Sequence, residues 1–232
     1  MSRAAAATLS NRSQSASDSM QTKILCVCGS SRRDSLNQKL LEIAARGATQ
    51  EGGAATHIRL RDFQLPIYDG DTETAHGLPQ QALELKGLLA QHHALLIATP
   101  EYNGGYSGLL KNALDWMSRP TQGDPSGLRE FSGKFAALVS ASPGALGGMR
   151  SQIVLHVALS KLGLLVIPHA FALSHAHAAF DEWGQLRDPT SDQLTRGVGA
   201  ALVRRASTST NGFRQASDDG IHLGESPTRA VN

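Results

Sequence analysis

Between Ala94 and Thr99 an uncharged run, Ala-Leu-Leu-Ile-Ala-Thr, leads straight into Pro100 and a turn of polar residues and glycines. Beyond that turn Leu109, Leu110, Ala113, Leu114 and Met117 recur at helical spacing. An apolar run without alternation suits a strand buried on both faces, and Pro100 holds Thr99 extended. Such a strand needs helices above and below it, which points to a parallel sheet in an α/β architecture. The same unit recurs along the chain without an internal sequence repeat. Strands are expected near 23–28, 55–60, 94–99, 134–140 and 164–168, and helices near 36–50, 78–91, 107–118, 147–162 and 190–205. In an open parallel sheet, ligands bind outside the carboxyl ends of the strands. The turn after Thr99 carries two planar side chains, Tyr102 and Asn103, and two glycines, Gly104 and Gly105, a composition that lets backbone approach a flat ring closely.

The first strand, Lys23–Cys28, leads into a second loop of this kind. Gly29-Ser30-Ser31-Arg32-Arg33-Asp34-Ser35-Leu36-Asn37 gathers hydroxyl, guanidinium and amide donors at the start of a helix whose apolar face is Leu36, Leu40, Leu41, Ile43 and Ala44. Free amides and the partial positive charge of a helix N-terminus favour an anion, by ~0.3–1 kcal/mol and up to ~2 when partly buried. Arginine adds charge-assisted hydrogen bonds to phosphate oxygens. Neither G-x-G-x-x-G nor G-x-x-x-x-G-K-[ST] is present, so the loop reads as a cradle for a phosphomonoester rather than a dinucleotide or P-loop site.

Gly29–Leu40 (GSSRRDSLNQKL) and Thr99–Arg119 (TPEYNGGYSGLLKNALDWMSR), taken together, resemble the NAD(P)H-dependent FMN reductase family, whose flavodoxin-like members reduce quinones, azo compounds, chromate or free flavin. The likeness covers about residues 22–205 and includes Gly133-Lys134 and Gly147-Gly148 on either side of the fourth strand. It implies a flavodoxin-like, doubly wound, five-stranded parallel sheet in the order 2-1-3-4-5, with both loops lining one crevice at the switch point. It also implies that Ser30, Arg32, Ser35, Leu36 and Asn37 hold the FMN phosphate and that Pro100, Glu101, Tyr102, Asn103 and Gly104 border the isoalloxazine. A third strip, Ser140-Ala141-Ser142-Pro143-Gly144, is expected to contribute Ser140, Ser142 and Gly144. Relatives often place a hydroxyl where Ala141 falls and a proline near Ser107.

Composition narrows the classes further. Hydrophobic residues make up 41% of 232, enough for one sizeable core, and the net charge of +2 argues against nucleic acid or an acidic membrane as partner. No apolar run approaches the ~20 residues of a membrane span. Cys26 and Cys28 lie two apart on one strand, so they share a sheet face, fit neither C-x-x-C nor a zinc site, and suit a reducing cytoplasm. Residues 1–21, rich in Ala and Ser, read as a disordered extension without the apolar core of a secretory signal, and Met20 is an alternative start. Residues 206–232 read as a disordered tail.

Other candidates have plainer readings. His92-His93 and His175-x-His177 lack the further ligands a metal needs, so no metal is expected. Trp116, Leu109 and Leu110 read as core, and Asp115 as a local pairing partner. Arg119, Arg129 and Arg150 flank the loops and are candidates to recruit a cofactor's phosphates, with solvated surface or an intersubunit pair as the simpler role. The turn-rich segment Arg119–Gly127 is expected to overhang the flavin or dock on a neighbouring subunit. The apolar helix carrying Ile153, Val154, Val157, Ala158 and Leu162 is either core-facing or a contact surface.

The expected activity is FMN-dependent oxidation of NADPH or NADH. Hydride would pass to the flavin and then, in a ping-pong sequence, to an oxidised acceptor, with no catalytic side chain. Glu101 is the candidate for a proton donor, with bracing of its own loop as the alternative. The resemblance further implies a homodimer or homotetramer. Two rival readings are a flavodoxin-like electron carrier without a nicotinamide substrate and a flavin-free scaffold that kept the fold.

Overall fold

A computed structural model of the chain describes the backbone of residues 21–218 and the side chains of residues 21–208. The expected N-terminal extension (apart from Gln21) and the last part of the expected C-terminal tail, 219–232, lie outside the described residues. The strands are β1 (Lys23–Cys28), β2 (Ala54–Arg59), β3 (Ala94–Ala98), β4 (Phe135–Ala141) and β5 (Leu165–Leu173). The helices are α1 (Leu36–Gln50), α2 (Gly70–His76), α3 (Gln80–Ala90), α4 (Gly108–Met117), α5 (Met149–Lys161), α6 (Ala176–Ala179) and α7 (Pro189–Asp218). All strands pair in parallel in the order β2-β1-β3-β4-β5.

Alternation along each strand divides the interior in two. Ile24, Cys26 and Cys28 of β1 face α1 and α7, whereas Leu25 and Val27 face the side covered by α3, α4 and α5. Fully burying a Leu or Ile side chain is worth about 1.5–3 kcal/mol, and such residues dominate the layer under α3, α4 and α5, whereas in the layer under α1 and α7 they share the space with alanines. The two cysteines share a face, are free thiols and are buried. Burial pushes the Cys26 thiol up to about 12 and raises that of Cys28 as well.

On the first side the helices touch backbone to backbone. A Cβ on Gly47 would come within 2.0 Å of Arg196 O, and one on Gly199 within 1.9 Å of Ala44 O, so α1 and α7 pack as closely as they do only because both positions lack a side chain. α7 also continues past residue 205, where the helix was expected to end, and runs through to Asp218.

β5 is longer than expected. Its register shifts between Ala136↔Val166 and Leu138↔Ala170, so that Ile167, Pro168 and His169 lie opposite Ala137. A proline without an N–H is tolerated there because β5 is an edge strand with a bulge, and both features protect an edge from pairing with another chain.

The segment Arg119–Gly127 does not overhang the carboxyl edge of the sheet. It leaves the end of α4 and leads towards the start of β4, at the amino edge. Lys86 of α3 fixes it there: the buried ammonium donates to the carbonyls of Met117 (2.9 Å), Arg119 (3.1 Å) and Gly127 (3.1 Å), with Asp124 at 3.9 Å. Arg119 pairs with Glu73 at 2.9 Å and stacks over the Tyr68 ring, and Arg129 pairs with Glu130. Trp116 is core, as expected, with its Nε1 donating to Pro66 O, and Asp115 pairs with Lys111. The rings of His92 and His93 bond Leu88 O and the Lys23 amide. On α5 Leu155 and Leu159 are buried, whereas Ile153, Val154 and Val157 are not core-facing, being 59%, 46% and 68% exposed.

Candidate functional site: three loops tied into one crevice

The loops after β1, β3 and β4 open at the same edge of the sheet, and one side-chain tie joins each pair of them. Ser107 caps α4, its Oγ accepting from the Leu110 amide at 3.1 Å and donating to Gly29 O at 2.5 Å, which joins the third-strand loop to the first. Asn37 joins the first helix to the end of β4: its Nδ2 donates to Ala141 O and its Oδ1 accepts from Ala141 N, both at 2.9 Å. Glu101 joins the third-strand loop to α5, its Oε1 accepting from Arg150 Nε at 2.7 Å and also from Nη2. The crevice therefore has a braced frame before any ligand enters it.

In the first loop Ser35 caps α1, with its Oγ accepting from the Gln38 amide at 3.2 Å. The amides of Leu36 and Asn37 in the first turn have no acceptor among the described residues. Ser31, Arg32 and Arg33 are exposed, and neither arginine pairs with a carboxylate among the described residues. Ser30 accepts from the Arg32 amide at 3.3 Å, and Asp34 is drawn away by Lys39 at 2.6 Å. An unpaired guanidinium, a serine hydroxyl and free first-turn amides form a donor set suited to a phosphate monoester.

In the third-strand loop Tyr102 and Gly105 exchange backbone hydrogen bonds of 2.9 and 3.0 Å around Asn103 (φ 53°) and Gly104 (φ 81°). Two positive φ values in a two-residue turn make a type I′ hairpin, for which Asn-Gly is the preferred sequence. The amides of Tyr102 and Gly105 are occupied within the turn, which leaves those of Asn103 and Gly104 as the free donors at its tip. Pro100 is buried below them, and Tyr102 is 52% exposed beside them.

Several expected contacts have other duties. Ser140 does not reach the crevice. It is fully buried, donating to Gly147 O at 2.7 Å and accepting from Gln152 Nε2 at 2.6 Å, so it braces the turn into α5. Asn37 and Ser35 are likewise buried, and their side chains serve as tie and cap. Leu36, Ser142 and Gly144 keep surface at the crevice. Glu101 is clamped. The Arg150 guanidinium, helped by the amides of Ser151 and Arg150 at the start of α5, outweighs burial and holds its carboxyl below the usual carboxylate range. Ionised and paired in this way, the carboxylate braces the third-strand loop against α5. Sequence reasoning did not place Ser107 in the site, and it read Arg150 as a flanking arginine able to recruit a phosphate or to lie at the surface, not as the partner of Glu101. A serine at the start of the apolar-periodic run of α4 was a capping signal for Ser107, whereas nothing in the sequence pairs Arg150 with Glu101.

Comparison with known proteins identifies the family and the fold. The model of the NADPH-dependent FMN reductase family matches residues 22–178. An NAD(P)H-dependent FMN reductase of Pseudomonas aeruginosa is 37% identical over 175 residues, 74% of this chain and 88% of that protein. A quinone reductase of Pseudomonas putida is 33% identical over 170 residues, 72% of this chain and 86% of its own. Among solved structures, a flavoenzyme NAD(P)H:(acceptor) oxidoreductase of Paracoccus denitrificans superposes with a TM-score of 0.67 at 30% identity, covering 81% of this chain and 98% of that one. A flavodoxin from the Archaea, at 10% identity and a TM-score of 0.51, shares the fold alone.

Proposed function

Because the chain belongs to the NADPH-dependent FMN reductase family, we propose that it oxidises NAD(P)H through FMN held across the three loops and delivers the electrons to a small quinone-class acceptor. The observation that carries the assignment of the site is the pairing of an unneutralised Arg32 and free α1 amides in one loop with free tip amides in the next. Ser30, Arg32 and the first-turn amides of Leu36 and Asn37 hold the phosphate. Pro100, Tyr102, Asn103 and Gly104 border the isoalloxazine, and Ser142 and Gly144 complete the wall. FMN, when bound, supplies the chemistry of accepting hydride from a nicotinamide and passing electrons to a second substrate.

The protein binds, orients and stabilises charge. The amides of Asn103 and Gly104 point donors at an edge where negative charge accumulates on reduction. No side chain is required as acid or base, and the clamped Glu101 is not one. Both substrates use the same open face of the flavin in turn, which gives ping-pong kinetics.

The exposed apolar face of α5 carries the assembly. Ile153, Val157 and Pro168 line a cavity of about 300 Å³ beside the β5 edge, and a second copy of the chain covers it in a homodimer or homotetramer. Among the described residues no helix is long and apolar enough to cross a membrane. The free thiols suit a reducing cytoplasm.

A visible spectrum of the purified protein, followed by NAD(P)H consumption with 1,4-benzoquinone, tests the reading. Bound-flavin bands and parallel double-reciprocal plots are expected. A colourless protein that neither takes up FMN nor consumes NAD(P)H refutes it, and FMN binding without NAD(P)H oxidation would instead make it an electron carrier. Light scattering tests the assembly: Val157→Arg is expected to give monomers, and a monomeric parent overturns the assignment of the α5 face.

A further inference from the structure

Of the ties that frame the crevice, the one between Glu101 and Arg150 alone is ionic. It is also lopsided. The Glu101 side chain is 8% exposed and that of Arg150 is 60% exposed. Both hydrogen bonds from the guanidinium go to Oε1, and Oε2 is buried with no hydrogen bond of its own. Arg150, helped by the amides at the start of α5, keeps this deep carboxylate ionised, and at pH 8, well above the carboxylate range, taking the cation away leaves an uncompensated negative charge next to the hairpin of Tyr102–Gly105. The sequence places Glu101 directly before that hairpin, whose tip amides, those of Asn103 and Gly104, have no hydrogen-bond acceptor among the described residues.

We propose that the Glu101–Arg150 pair is a charge-balanced positioning strut that sets the reduction potential of the flavin bound against the Tyr102–Gly105 hairpin. The proposal rests on the reading that FMN occupies this crevice. Its logic is electrostatic. Reduction adds negative charge to the flavin, so any net charge left beside it favours one oxidation state. The intact pair contributes close to none. Arg150 alone favours the reduced form, and Glu101 alone disfavours it. A strut that mattered only for shape would give the same sign of change whichever partner was removed.

The experiment uses Glu101→Gln, Arg150→Gln, the double variant and Arg150→Lys. FMN affinity is read by fluorescence titration, and the potential of the bound flavin by equilibration with reference dyes at pH 8. Glu101→Gln is expected to tighten binding of reduced over oxidised FMN by roughly tenfold, a rise of ~30 mV for a two-electron couple, and Arg150→Gln to do the reverse. The double variant should return near the parent. Arg150→Lys should keep the parent potential while losing thermal stability, because it restores the charge but not the two-pronged bond. Potentials that move in the same direction in both single variants, or in neither, overturn the proposal while FMN affinity still stands. A parent protein that binds no FMN removes the cofactor reading itself, and the proposal falls with it.

Discussion

Replacing Asn37 separates a ligand role from a framing role. The structure gives its side-chain amide to the backbone of Ala141 in two bonds of 2.9 Å, at a position where Asn37 is 5% and Ala141 4% exposed. Asn37→Leu keeps similar bulk, excludes water, and leaves a buried N–H and a buried C=O without partners. Each unsatisfied group costs about 1–3 kcal/mol, so a loss near 3 kcal/mol is a moderate expectation for the two together. For a chain of this size ~1 kcal/mol moves the melting temperature by ~2–4 °C, which predicts a fall of roughly 6–12 °C. The measurement is calorimetric melting of the protein freed of flavin, so that lost ligand stabilisation cannot contribute. If the flavin-free variant melts within about 2 °C of the parent while FMN affinity drops, the Ala141 tie is energetically idle and Asn37 acts on the phosphate directly.

Three further outcomes are expected. Arg32→Ala should lower FMN affinity tenfold to about a hundredfold, since a hydrogen bond to a charged group is worth ~1.5–3 kcal/mol; an unchanged titration would make Arg32 ordinary surface. Gly104→Val should weaken FMN binding and also disturb the hairpin without ligand, because open space surrounds a Cβ there but φ is +81°; retained FMN affinity would show that the I′ turn is dispensable. Glu101 is held below its ordinary value of 4.5 chiefly by Arg150, and Glu73 below the same value chiefly by Arg119. A lowered folded pKa gives stability that is complete above the unfolded value and lost as pH falls through the folded one, so melting temperature should decline below about pH 4.5. Glu101→Gln should make that decline shallower, and a flat profile down to pH 3 would contradict the pairing.

The alternating runs made the sheet and its helices legible because every strand but the last is bounded by ordinary turn chemistry. β5 was read short because Pro168 is a strand breaker in isolation, and only the bulge opposite Ala137 on an edge strand lets the chain continue to Leu173. The end of α7 was misplaced for a related reason: residues 206–218 lack the periodicity that marks a helix, yet the backbone stays helical. At the crevice the sequence displayed the right polar residues without their assignments. Asn37, Ser140 and Arg32 all look like ligand donors, and only the fold decides which face inward to backbone and which remain free. Pairings across long separations, such as Glu101 with Arg150, leave no local trace.

The position of the two cysteines bears on how the chain would withstand the quinone-class acceptor proposed for it. Quinones are electrophiles that add to thiolates. The only cysteines of the chain, Cys26 and Cys28, sit inside β1 at 0% and 1% exposure. With a pKa of about 12, the Cys26 thiol is ionised to about one part in 10⁵ at neutral pH. The folded protein thus offers its own acceptor almost nothing to alkylate, and arylation of these thiols would record the opening of the sheet itself.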